Sequence, residues 1–262
     1  MRDNKLRKSL EAGKVVIGTM LQELRSPAVP MVLSNVGFDF IFIDMEHGAF
    51  NMETVADLIK VTRLTGMTPL VRVPNLEYHL IARCLDAGAQ GFMVPRIENR
   101  KQAELAVSYS KYPPQGERGC SINKGHNDYQ SESLIPFVQK ANQQNFVILQ
   151  IERKGAIENL EDILSVPGID GAILGPNDLA VSYGVPNDLE SEIMIKAFQK
   201  VVDTGNKYNV FTGMHVANLE SLKKWMKRGM RIITYNTDLG FLKAASSDGL
   251  KKLREAAANV KG

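Results

Sequence analysis

The sequence predicts an α/β protein folded as one (β/α)8 TIM barrel, and three observations carry that expectation. Near-continuous apolar, β-branched runs alternate along the chain with amphipathic stretches, the pattern of parallel strands whose two faces are both covered. The number of such strand–helix units is about eight, which favours a closed barrel over the competing open, doubly wound sheet. Several of the runs also stop abruptly at polar residues, as barrel strands do where their carboxyl ends open on a site.

Strands are expected near Val15–Met20, Phe40–Asp44, Pro69–Val73, Gly91–Pro95, Phe146–Ile151, Gly171–Leu174, Val210–Met214 and Arg231–Tyr235. Helical periodicity falls between them at Glu53–Thr65, Leu76–Ala87, Lys101–Ser110, Leu189–Lys207 and Leu219–Lys227. Glycine recurs at the boundaries, for example Gly88 after the second of these helices, where a left-handed residue closes a helix. No composition shift divides the chain, so residues 1–262 are read as a single domain. Lys111–Gln130, rich in Pro, Gly and polar residues, interrupts the pattern and is expected to be a functional loop.

Composition narrows the function. With 32 basic and 29 acidic residues the net charge is only +3, which gives no basic stripe for a nucleic acid. No apolar run approaches the roughly 18 residues of a membrane span. The charged amino-terminal stretch through Lys14 lacks a signal-peptide core, so a cytoplasmic location is expected. Cys84 and Cys120 form neither a metal-spaced motif nor a disulfide framework. A small-molecule substrate remains.

The expected strand ends assemble Gln22, Asp44-Met-Glu-His47, Arg72, Pro95-Arg96, Gln150-Ile-Glu152, Asn177-Asp178, His215 and Asn236-Thr237. Glu152 and Asp178 are the candidate metal ligands, because oxygen-only donors suit a hard divalent ion such as Mg²⁺ or Mn²⁺. Each has a plainer explanation: Asp178 as a helix cap, Glu152 as an ion pair with Arg153 or Lys154. Arg72 lies inside an otherwise apolar strand and needs a carboxylate or an anionic ligand; Asp44 or Glu46 would supply the first. His47 is the candidate general base, since imidazole exchanges protons near neutral pH, and Asp86 is the candidate residue to orient it. His126, in the long loop, is a possible substrate contact; His215 is a weaker site candidate, and His79 is expected at the surface.

Other chemistries lack support. There is no Gly-x-Gly-x-x-Gly after a strand, no phosphate-loop lysine and no Gly-x-Ser-x-Gly elbow. None of the expected strands contains a lysine for a Schiff base, which leaves a metal as the way to polarise a carbonyl.

These motifs resemble the HpcH/HpaI family of metal-dependent 2-oxo acid aldolases. The matching pieces are Ile17-Gly-Thr, Gly37-Phe-Asp-Phe-Ile-Phe-Ile-Asp-Met-Glu-His47, Val71-Arg-Val-Pro74 and Leu85-Asp-Ala-Gly88. They continue in order with Val94-Pro, Tyr112-Pro-Pro-Gln-Gly-Glu-Arg-Gly119, Leu149-Gln-Ile-Glu152 and Gly175-Pro-Asn-Asp-Leu179. The resemblance implies a (β/α)8 barrel binding Mg²⁺, Mn²⁺ or a similar ion such as Co²⁺. In it Glu152 and Asp178 would hold the metal, His47 would act as base supported by Asp86, and Arg72 would steady an enolate. Gln150 and the Asn177–Asp178 backbone would bind the oxo acid. It also implies a homo-oligomer, often a hexamer, with an exchanged C-terminal helix for which residues 239–260 are the candidate. Two departures stand out: Met20 where the family often has tryptophan, and the loop Cys120–Gln130. The expected reaction is reversible cleavage of a 4-hydroxy-2-oxo acid to pyruvate, or a close analogue, and an aldehyde. Related enolate chemistry on another oxo acid or a thioester, and a non-catalytic oxo-acid-binding barrel, are the alternatives.

Overall fold

Eight parallel strands pair in chain order and close on themselves in the computed structural model, which describes residues 1–260. They are β1 (Val16–Leu21), β2 (Phe40–Asp44), β3 (Thr68–Arg72), β4 (Gly91–Val94), β5 (Phe146–Ile151), β6 (Gly171–Leu174), β7 (Phe211–Val216) and β8 (Ile232–Thr237). The helices up to β5 are α1 (Lys5–Glu11), α2 (Ala28–Val36), α3 (Met52–Thr65), α4 (Tyr78–Ala87), α5 (Arg100–Ser110) and α6 (Leu134–Gln144). After β5 come α7 (Lys154–Glu158), α8 (Leu160–Leu164), α9 (Pro176–Ser182), α10 (Glu192–Tyr208), α11 (Leu219–Lys227) and α12 (Asp238–Ala258). The expected barrel is therefore the observed one. No described helix is long and apolar enough to cross a membrane.

Local sequence explains the helix boundaries. Asn51 caps α3 by accepting from the Thr54 amide at 2.9 Å, and Gly66 ends that helix at φ 86°. Asn99 and Gln102 form a reciprocal capping box at the start of α5. Helices α7, α8 and α9 escaped the periodicity analysis because five to seven residues are too few to show a 3.6-residue repeat.

Alternation along the strands divides the core in two. Ile41, Ile43, Val71, Val147 and Leu149 face outward against the helices. Val16, Phe40, Phe42, Leu70, Phe146, Ile148 and Ile232 fill the barrel interior. Leu6 and Leu10 of α1 join this inner cluster, so α1 plugs the amino-terminal end of the barrel. The site must then lie at the opposite, carboxyl end.

Strand ends run further than the sequence suggested: β7 continues to Val216 and β8 to Thr237. His215 pairs in register with Thr234, and Val216 with Tyr235. A polar side chain does not interrupt a backbone ladder, so polarity marks the mouth of the site rather than the end of the strand.

Candidate active site

Above the apolar interior, the next inward-facing positions are polar. Asp44 and Arg72 lie opposite each other on β2 and β3. The guanidinium donates from Nε to Asp44 Oδ1 at 2.8 Å and from Nη2 to Oδ2 at 2.5 Å, and Gln22 Nε2 donates to Oδ2 at 2.8 Å. Burial pushes the Asp44 carboxyl up, but Arg72 and Gln22 more than offset it and hold the group below the usual carboxylate range. Arg72 Nη1 faces the other way, 3.3 Å from Glu46 Oε2 and 3.5 Å from Gln150 Oε1. The structural explanation considered for Arg72 is thus correct: it is paired, with both Asp44 and Glu46. It still has one edge turned toward the site.

Glu152 follows β5 and is buried. The Arg96 amide donates to its Oε1 at 2.7 Å, and the Gln150 side-chain amide donates to Oε2. Arg96 holds φ 58°, an uncommon left-handed conformation for a non-glycine residue, and its side chain pairs with Glu46 Oε1 at 3.0 Å. Burial raises the Glu152 carboxyl to about 7; Glu46 and Asp178 add to the rise, against the Arg96 amide and Arg72. The alternative ion pair for Glu152 does not form, because Arg153 pairs with Glu98 and Lys154 with Glu158. Asp178 is not the cap of α9, a role Gly175 takes; it lies exposed in the first turn.

Two cavities meet here. An outer cleft of about 480 Å³ is lined by Glu46, His47, Arg96, Glu152 and Asp178. An inner one of about 360 Å³ is lined by Met20, Arg72, Gln150, Asn177, Asp178 and His215, with His47 shared. Three carboxylates around one cleft form an oxygen-only donor set, and their mutual repulsion is what a divalent cation would relieve. Among the described residues no three His, Cys, Asp or Glu side chains form a complete metal cage. A Mg²⁺-type ion does not need one, since it keeps waters and takes substrate oxygens. Gly175 completes the cradle: a Cβ there would lie 2.7 Å from Glu152 Oε2 and 2.8 Å from Gln150 Nε2. The residues fit such an ion.

His47 is exposed at the start of the β2–α3 loop, its amide 3.4 Å from Asp44 Oδ1. Asp86, expected to orient it, does not reach it within the chain. Asp86 ends α4, which returns from the mouth to the amino-terminal face, and its Oδ1 accepts from Arg118 Nη2 at 2.6 Å. The long loop lies at the same face. Lys111–Gln130 follows a helix and precedes α6 and β5, so it lies at the amino-terminal face, where Arg2 pairs with Asp128 at 2.7 Å. His126 is buried there with its ring 4.7 Å from Phe137, remote from its own barrel's mouth. His79 is exposed, as expected. Arg96 stood among the expected strand-end residues and Gly175 in the motif Gly175-Pro-Asn-Asp-Leu179, but neither was assigned the role it has against Glu152. The signal for both was position: Gly175 directly follows β6, and Arg96 lies two residues past the end of β4.

The HpcH/HpaI aldolase/citrate lyase family model matches residues 20–245. The chain belongs to that family. This HpcH/HpaI member is 29% identical over 252 residues to the 5-keto-4-deoxy-D-glucarate aldolase of Escherichia coli (strain K12), covering 95% of this chain and 97% of that protein. An HpcH/HpaI aldolase from Desulfitobacterium hafniense DCB-2 superimposes with a TM-score of 0.92 at 30% identity, over 98% of both chains. The citrate synthase SbnG superimposes with a TM-score of 0.88 at 28% identity, over 97% of this chain and 99% of that one. Membership places the chain among aldolases and lyases, enzymes of carbon–carbon bonds.

Proposed function

We propose that this HpcH/HpaI member is a divalent-metal-dependent aldolase that reversibly cleaves a 4-hydroxy-2-oxo acid into pyruvate, or a close analogue, and an aldehyde. The reading rests on one observation: Glu152 and Asp178 border the same cleft as His47, with Arg72 in the adjoining cavity. Glu152 and Asp178 would hold the ion, Mg²⁺ or Mn²⁺ by donor type and Co²⁺ by family resemblance. When bound, it polarises the 2-oxo group and neutralises developing charge.

The chain's own residues supply the rest. Gln150 and the Asn177–Asp178 backbone fix the oxo acid, which converts binding energy into alignment of the bond to be broken. His47, through a water, accepts the C4 hydroxyl proton; the C3–C4 electron pair then flows into the oxo acid as the aldehyde carbonyl forms. Arg72, anchored along its Nε–Nη2 edge by Asp44, presents Nη1 to the oxygen that gains charge. Return of the proton to C3 completes the turnover.

The test is deuterium exchange into the pyruvate methyl group, followed by NMR with and without a chelator. Exchange that needs Mg²⁺ or Mn²⁺ and falls by roughly 10²–10⁴-fold in His47→Gln fits the proposal. Undiminished exchange in Glu152→Ala, or in strong chelator, sinks it.

The similarity to a citrate synthase favours a second reading, enolate chemistry run toward condensation with a different partner. A panel of aldehydes and oxo acids offered with pyruvate separates the two. We also infer a homo-oligomer. Leu239, Leu242, Leu250 and Leu253 line the exposed length of α12, apolar surface that a second copy would cover.

A further inference from the structure

Where β8 passes into α12, the closed sheet is irregular. Its pairing with β1 slips: the two steps from Gly18 to Met20 are matched by three on β8, from Thr234 to Thr237. Asn236 stands in the added stretch at φ 58°, left-handed backbone that asparagine tolerates better than most side chains. Its carbonyl accepts from Thr19 Oγ1 at 3.1 Å. The chain that leaves this bulge begins α12 with Asp238, which is buried. Asp238 Oδ2 accepts from three successive amides of the turn after β1: Gln22 at 3.2 Å, Glu23 at 2.9 Å and Leu24 at 2.8 Å. Its Oδ1 accepts from the Leu239 amide at 2.9 Å. Burying a carboxylate needs compensation of this kind.

The turn that Asp238 grips is bonded in its turn to the segment that carries the base. Gln22 Nε2 donates to Asp44 Oδ2 at 2.8 Å, and the Gln22 carbonyl accepts from the Ala49 amide at 3.1 Å. Gly48 packs against the same carbonyl, which a Cβ there would approach to 2.9 Å. Both ends of Asp44–Ala49 are thus tied to Gln22, with His47 between them. We propose that Asp238 is a positioning residue for His47: it fixes the turn after β1, and through that turn the segment that presents the imidazole. The inference rests on the aldolase reading above for the role of His47.

Helix capping does not account for this carboxylate. Thr237 caps α12, its Oγ1 accepting from the Gly240 amide at 3.1 Å. An acid in a first turn ordinarily serves its own helix, whereas Asp238 turns one oxygen onto the connection of a different strand. Barrel geometry also separates this tie from the metal side of the mouth. Glu152 and Gln150 belong to β5, which lies across the closed sheet from β1. A shift of the turn after β1 therefore moves His47 and leaves the residues assigned to the metal and the oxo acid in place.

Saturation of Mg²⁺-dependent deuterium exchange into pyruvate gives kcat and KM for each variant. Asp238→Ala should lower kcat about 10²-fold, the scale of an ångström-sized misplacement, with KM for pyruvate within about twofold of wild type. Asp238→Asn keeps an oxygen that can accept from the three amides; it should restore most of the loss, and it guards against a folding artefact. The His47 Hε1 NMR resonance, assigned by its loss in His47→Gln, should move in Asp238→Ala while that of the exposed His79 stays in place. An unchanged kcat in Asp238→Ala overturns the proposal, as does a loss carried by KM alone. So does an asparagine variant no more active than the alanine one, or a His47 resonance that does not move. Absence of exchange in the wild type would remove the aldolase reading. The resonance shift needs no turnover, so it still decides whether Asp238 places His47.

Discussion

Arg72 holds Asp44 through two hydrogen bonds, 2.8 Å and 2.5 Å, between side chains that are both buried on adjacent strands. Such a pair is worth little relative to an apolar replacement, yet breaking it leaves a buried charge without its partner. Asp44→Ala should therefore cost about 3–5 kcal/mol in urea unfolding. The double variant with Arg72→Met should cost less than the sum of the singles. Additive losses would show that the two groups are not coupled in this way.

Gly175 leaves room for the Glu152 carboxylate to lie across it. A methyl group at that position would sit 2.7 Å from Glu152 Oε2, and Glu152 is held on its other oxygen by the Arg96 amide. Gly175→Ala should displace the carboxylate and lower turnover by about 10²-fold, the scale of an ångström-sized misplacement. Weaker Mn²⁺ affinity should accompany the loss. Steady-state kinetics with a metal titration would check both, and wild-type values for either would contradict the packing argument.

His126 makes stability depend on pH from the far end of the barrel. Burial first, and then Arg118 and Arg63, hold its pKa at about 3, well below the ordinary 6.5. The folded state thus keeps the ring neutral while the unfolded chain protonates it, so stability falls as pH drops from about 6.5 toward 3. The slope has a ceiling of about 1.4 kcal/mol per pH unit for one group. Denaturant unfolding of His126→Phe, whose ring would still pack on Phe137, should show a shallower acid dependence than the wild type. Parallel curves would assign the acid sensitivity elsewhere.

The outer face of α12 should mediate self-association. Leu250 and Leu253 are 56% and 70% exposed, an unusual outlay of leucine surface on one helix. Replacing both with Asp should lower the sedimenting mass while far-UV circular dichroism stays the same. An unchanged mass would locate any subunit contact on another surface.

Much of the architecture was legible because barrel strands write a simple code. Phe40-Ile-Phe-Ile-Asp44 and Phe146-Val-Ile-Leu-Gln-Ile-Glu152 show apolar runs that end in carboxylates, and both proved to end at the mouth. Which end of the barrel the long loop occupies was not legible from its composition, because Pro, Gly and polar residues look the same at either end. Its place after a helix, rather than after a strand, was the better clue. Asp86 lies at that same amino-terminal face of its own chain for a related reason: it ends α4, and adjacency to a strand in sequence does not say which end of the strand is near.

By itself, the sequence determined the strand–helix alternation, the closure into a barrel and the clustering of Asp44, Glu46, His47, Glu152 and Asp178 at carboxyl ends. Those properties follow from periodicity, which is local. Tertiary structure alone decided that Arg72 is shared between Asp44 and Glu46, that Arg96 turns its amide onto Glu152, and that His215 lines the inner cavity with Arg72. These depend on how strands are staggered around the closed sheet, and hydrogen bonds between chain-distant groups leave no periodic trace in the order of residues.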